Sequence, residues 1–208
     1  MEVGRPAPER RTIPLFISQA TPSHSPMTVH ELQLPGLLLI EPDVYGDERG
    51  VFLETWNAER YAEHGIDASF VQDNLSRSRR GVLRGLHFQN PHPQGKLISV
   101  WEGAVYDVTV DIRAGSDTFG QWIGCTLSAE NKRQLYVPEG FAHGFAVTSE
   151  TALFHYKCTD VYAPDAEGTV RWNDPDLGID WPVDAPELSE KDRTAPRLAD
   201  LPRERLQF

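Results

Sequence analysis

At 208 residues the chain is long enough for one domain with a substantial core and too short for two large ones. A formal net charge of -11 excludes the broad basic face that nucleic acid or an anionic membrane would need, so any anionic ligand must meet a local cluster of cations. Sixteen Gly, sixteen Pro and 10% aromatic residues favour a turn-rich, all-β architecture over a helical bundle.

Residues 1–28, rich in Pro, Ser and Arg, read as a disordered tail, with Met27 as an alternative start and 29–208 as a single domain. The apolar run Ile13 to Ile17 is short and broken by Pro14, and no run approaches the ~18 apolar residues of a membrane span, so a cytoplasmic protein is expected. Leu37 to Ile40 and Gly50 to Trp56 read as strands, separated by turn residues at Pro42-Asp43 and Gly46 to Gly50. Alternation in the second puts Phe52, Glu54 and Trp56 on one face, where Glu54 is either a solvated residue or a polar group aimed at a ligand. Asn57 caps a short helix that reaches His64 and that Gly65 ends. Phe70 to Ser76 reads as extended, and its consecutive Gln72, Asp73 and Asn74 either cap a loop or hydrogen-bond a polar ligand.

From Val82 to Tyr162 the pattern is nearly continuous strand. Lys96 to Trp101 and Ala104 to Arg113 flank Glu102-Gly103, which reads as a hairpin turn. Phe119 to Leu127, Gln134 to Val137, Gly144 to Val147 and Leu153 to Thr159 supply further strands. Short strands with tight turns describe a jelly-roll sandwich or barrel whose interior can hold a small ligand. After Tyr162, Pro164, Pro175, Pro182, Pro186 and Pro196 punctuate an irregular segment containing Trp172 and Trp181, and those tryptophans imply that it wraps the barrel. Cys125 and Cys158 lie in apolar strand-like runs and read as reduced, buried thiols.

The chemistry centres on Arg80 to Gln89 and the following Lys96, which bring an arginine, a histidine and a lysine together. Such cations draw in a phosphate or hold a developing oxyanion while a neutral His87 takes a proton. Arg84 and His87 are three residues apart, so a regular strand would aim them at opposite faces; a bulge at Gly85 would turn both inward, and without one Arg84 acts from the rim or not at all. A metal reading uses His87, His92, Glu102 and His143, but lacks the His-x-His spacing common in metal-binding barrels and sits among cations. Tyr156 is a core phenol or a proton donor facing His87, and His143 lies in a glycine-flanked turn open to close approach by a ligand.

Several strings together resemble the dTDP-4-dehydrorhamnose 3,5-epimerase family: Phe70 to Asn74, Gly81 to Gln89, Gln94 to Lys96, Leu127 to Leu135, Val137 to Phe145 and Trp172 to Asp174. The resemblance runs in order from about Leu34 to Asp192. It implies a cupin-type jelly roll with short peripheral helices, a homodimer that exchanges edge strands, and a dTDP-sugar substrate epimerised without metal or organic cofactor. By the same resemblance His87 is the base, Asp192 its dyad partner, Tyr156 the proton donor and Lys96 the group beside the keto oxygen. Arg49, Glu54, Gln72, Asp73, Asn74, Arg84, His143, Glu167 and Lys191 fall on substrate-binding positions, and Tyr162 on the one that stacks on thymine. Two departures, Val161 before Tyr162 and His155 before Tyr156, leave room for a relative that inverts a single centre in an antibiotic-sugar route.

Overall fold

A computed structural model describes residues 23–25 and 27–208; of the expected tail at 1–28, residues 1–22 and 26 lie outside the described residues. The strands in chain order begin with β1 (Ser23–Ser25), β2 (Thr28–Glu31), β3 (Leu38–Glu41), β4 (Val44–Asp47) and β5 (Gly50–Leu53). After helix α1 (Ala58–Ala62) come β6 (Gln72–Arg79), β7 (Leu83–Gln89), β8 (Lys96–Glu102) and β9 (Ala104–Asp111). They are followed by β10 (Trp122–Ser128), β11 (Gln134–Val137), β12 (Phe141–Val147), β13 (Thr151–Cys158) and β14 (Glu167–Thr169), and then by helix α2 (Glu190–Arg193).

Two antiparallel sheets face each other, with strand orders β10-β9-β12-β7-β14 and β2-β3-β11-β8-β13-β6, and a small β1-β4-β5 sheet stands beside them. Their facing sides meet in a core of Ile98, Val100, Leu135 and Phe154 against Val105, Leu127, Phe145 and Val147. The Phe145 and Phe154 rings stack there at 3.9 Å. This is the expected all-β jelly roll with two short helices.

The Glu102-Gly103 turn departs from expectation. β8 pairs with β11 and β13, whereas β9 pairs with β10 and β12, so the turn carries the chain from one sheet to the other. Alternation fixes which face of a strand is apolar and leaves its hydrogen-bonding partner open. Gly103 is required there because a Cβ would meet Thr151 O at 1.9 Å. Strand β5 also ends at Leu53, earlier than expected, and Trp56 turns to pack on Tyr61 and Phe70, each at 4.7 Å.

Asn57 caps α1 as expected, its Oδ1 accepting from Arg60 N at 3.2 Å. The C-terminal segment wraps the outer face of the five-stranded sheet, where Trp181, Leu177, Leu198 and Leu206 bury Val108, Val110 and Ile112. Within the segment Trp181 Nε1 donates to Trp172 O at 2.8 Å, and Trp122 Nε1 on β10 donates across to Leu177 O at 2.9 Å. β9 is therefore buried on both faces, with Asp107, Thr109 and Asp111 enclosed on the other side. Cys125 is half-buried, Cys158 is buried, and both are free thiols.

Candidate active site

The strand carrying His87 is bent by a bulge. Along β12 the register steps from His143 opposite His87 to Phe145 opposite Arg84, so Gly144 faces the two residues Gly85 and Leu86. Gly85 sits at φ +132, and a Cβ on it would meet Gly144 Cα at 2.5 Å. The extra residue resets the alternation, and Arg84 and His87 line the same cavity of about 310 Å³. Arg84 is steadied by its Nε–H, which donates to Ser78 Oγ at 3.1 Å.

His87 Nε2 lies 2.6 Å from Asp192 Oδ1. Asp192 is nearly enclosed and comes from α2, whose N-cap Ser189 accepts from Asp192 N at 3.2 Å. Burial lowers the His87 pKa, which the Asp192 partner opposes and the Lys191 and Lys96 charges reinforce. Burial alone would raise the Asp192 carboxyl, but its His87 partner holds it below the usual carboxylate range. The pair at neutral pH is thus a neutral imidazole donating Nε2–H to a carboxylate, with Nδ1 left as the proton acceptor.

The opposite sheet supplies the complementary groups. Tyr156 on β13 lines the cavity, and burial pushes its phenol up to about 12, so it stays protonated. Lys96 on β8 is buried, which lowers its pKa against the pull of Cys158, Asp107 and Glu167; among the described residues nothing pairs with its ammonium by hydrogen bond or ion pair. His143 also lines the cavity and is buried, its Nε2 bonded to the Asp107 carboxylate at 2.9 and 3.0 Å. At one end Tyr162 donates its hydroxyl to Glu167 Oε2 at 3.3 Å, and Lys191 Nζ lies 2.6 Å from Glu167 Oε1.

One cavity therefore gathers Asn74, Arg84, His87, Lys96, His143, Tyr156, Tyr162, Glu167 and Lys191, with Asp192 bonded behind His87. Its cations supply the local positive charge that the acidic chain lacks overall. Four expected site residues lie outside it. Arg49 pairs with Asp47 at the tip of the β4–β5 hairpin, and Glu54 lies 3.4 Å from Arg60 and accepts from Asn57 Nδ2 at 3.2 Å. Asp73 points to the outer face of the sheet, 3.0 Å from Lys157 and 3.8 Å from His155, because neighbours along a strand alternate sides. Gln72 Oε1 is taken by Tyr162 N at 2.8 Å.

The metal reading fails on placement. His92 sits at the surface 3.6 Å from Asp160, and Glu102 accepts from Thr151 and Arg77, so only His87 and His143 of that set share the cavity. His155 stacks on Trp101 at 4.3 Å on the outer face, so that departure from the family pattern does not reach the site. Asp107, Gln89 and Gln94 were not singled out from the sequence. Gln89 could have been, since it shares a strand face with His87 two positions away.

Comparison with known proteins agrees with this geometry. The profile of the dTDP-4-dehydrorhamnose 3,5-epimerase family matches residues 31–200. A dTDP-4-dehydrorhamnose 3,5-epimerase of Pseudomonas aeruginosa is 57% identical over 176 residues, covering 84% of this chain and 97% of the relative. The crystal structure of a Legionella pneumophila dTDP-6-deoxy-D-glucose-3,5-epimerase in complex with dTDP-4-keto-L-rhamnose superposes with a TM-score of 0.85 at 54% identity, covering 87% of this chain and 97% of that one. A 4-keto-6-deoxy sugar epimerase from the novobiocin gene cluster of Streptomyces spheroides gives a TM-score of 0.82 at 41% identity, covering 88% and 93%. With its jelly roll, its imidazole–carboxylate pair and its facing phenol, the chain belongs to the dTDP-4-dehydrorhamnose 3,5-epimerase family.

Proposed function

We propose that the protein inverts C3 and C5 of dTDP-4-dehydro-6-deoxy-D-glucose in dTDP-L-rhamnose biosynthesis, acting without metal or organic cofactor. The observation that carries this reading is a neutral imidazole and a protonated phenol, on two different sheets, lining one cavity. The 4-keto group acidifies the neighbouring C–H bonds. His87 Nδ1 removes a proton, and Asp192 balances the resulting imidazolium. The electron pair moves onto the ketone oxygen, where the Lys96 ammonium stabilises it. Tyr156 delivers a proton to the other face of the carbon, which inverts the centre, and exchange with solvent resets both groups.

Arg84 and Lys191 suit the diphosphate, Asn74, His143 and Glu167 the sugar and nucleoside hydroxyls, and Tyr162 the thymine ring. Arg49 and Glu54 complete the site of a second copy in a homodimer that exchanges its edge hairpins. Exposed Val51 and Phe52 on that hairpin, with exposed Leu75 and Trp101 on the outer sheet face, support this assembly. Free thiols at Cys125 and Cys158 suit the reducing cytoplasm.

Incubation with dTDP-4-dehydro-6-deoxyglucose in heavy water tests the reading. Deuterium entering at both C3 and C5 is the expected result. Label at one carbon would identify a single-centre epimerase, and no label from folded protein would defeat both.

A further inference from the structure

The segment from Asp160 to Ala163 belongs to no helix or strand, so its backbone polar groups need partners from elsewhere. Three glutamine side chains provide them. Gln94 Nε2 donates to Asp160 O at 2.8 Å, and Gln72 Oε1 accepts from Tyr162 N at 2.8 Å. Gln89 does more: Nε2 donates to Val161 O at 3.1 Å and to His92 O at 2.5 Å, while Oε1 accepts from Ala163 N at 2.8 Å. All four residues of the segment are thus held by amides from β6, from the end of β7 and from the loop before β8.

Gln89 is 4% exposed, and both of its N–H donors and its oxygen are in use. Its orientation is fixed, because a flipped amide would set its oxygen against two carbonyls. It lies two residues beyond His87 on the same strand face, about 6.6 Å along β7 at ~3.3 Å per residue. Tyr162 stands in the middle of the held segment with 53% of its surface open, so little packing restrains its ring, and the backbone hold sets its direction together with the hydroxyl's bond to Glu167 Oε2.

We propose that Gln72, Gln89 and Gln94 form a cradle that sets the Tyr162 platform before substrate arrives, with Gln89 as the positioning residue that fixes its distance from His87. This rests on reading the cavity as a dTDP-sugar site. A chain without the cradle keeps its base and acid but presents the stacking ring in many directions, and the cost falls on nucleotide binding.

The test is calorimetric titration of the full-length protein with dTDP and with inorganic pyrophosphate, alongside steady-state kinetics. Gln89→Met should weaken dTDP about tenfold and raise KM to match, with kcat within about threefold and pyrophosphate binding within about twofold. In a Tyr162→Ala background the same change should add less than about twofold, since the cradle acts through that ring. Gln94→Met removes a single bond and should move dTDP affinity the same way by less; it decides the matter if Gln89→Met does not fold. Additive losses, equal losses for dTDP and pyrophosphate, or unchanged dTDP affinity in folded variants would overturn the cradle. Wild-type protein that binds no dTDP would overturn cradle and epimerase together, whereas wild-type binding with indifferent variants would overturn the cradle alone.

Discussion

Replacing Gly85 by Ala asks whether the bulge is what aligns the site. The new Cβ would stand 2.5 Å from Gly144 Cα and 3.0 Å from His143 O. Ordinary carbon–carbon contact begins near ~3.5 Å, so β7 and β12 have to part by about 1 Å. Those strands carry Arg84, His87 and His143, and a displacement of about 1 Å in a reacting group costs about 100-fold in rate. The φ of +132 adds strain for any residue with a Cβ, about 1–3 kcal/mol, or a fall in Tm of roughly 2–12 °C for a chain of this size. Gly81→Ala is the matched control: its φ is +82, but nothing lies within 4 Å of its Cβ, so it should lose stability and keep its turnover. Deuterium-exchange rates and thermal melts on the two variants separate the effects. A Gly85→Ala protein that melts like wild type and exchanges within about threefold of it would refute the claim that this bulge positions the base.

Tyr156→Phe should slow product formation by about 100-fold or more while leaving the first loss of substrate deuterium to His87 nearly intact, as read by washout of specifically labelled substrate. Because burial depresses the His87 pKa, kcat/KM should hold as pH falls through 6.5 and drop only below it; Tyr156 at about 12 imposes no loss on the alkaline side before about pH 10. Asp192→Asn removes the group that raises the His87 pKa, so the acid limb should move lower still while the maximal rate collapses, and a limb that moved up would contradict the dyad. If hairpins are exchanged, inactive His87→Ala and Arg49→Ala chains refolded together should recover about a quarter of wild-type activity, since half the dimers are mixed and each has one complete site. Separate refolding should recover none.

Strand alternation made one condition legible from the chain, that Arg84 and His87 can point inward together only if the strand breaks at Gly85, and the register shift opposite Gly144 supplies that break. Asp192 was visible only through family likeness: it lies 105 positions from His87, and the short helix that delivers it has no local pattern that marks it as functional. Asp73 lies outside the cavity, paired with Lys157, because a strand sends the middle of three consecutive residues to the side opposite its neighbours. The β8–β9 turn was misjudged for a different reason. A tight glycine turn between two strands is the same local object whether the strands pair or part company, and only the rest of the fold decides.

The carboxylate that completes the base is carried by the same C-terminal wrap that covers the outer sheet. On the ribosome, the imidazole, the lysine and the phenol all emerge well before it does. A nascent chain therefore lacks the carboxylate of its base until this wrap has been made. Insulation of the barrel and completion of its chemistry are thus tied to one stretch of chain.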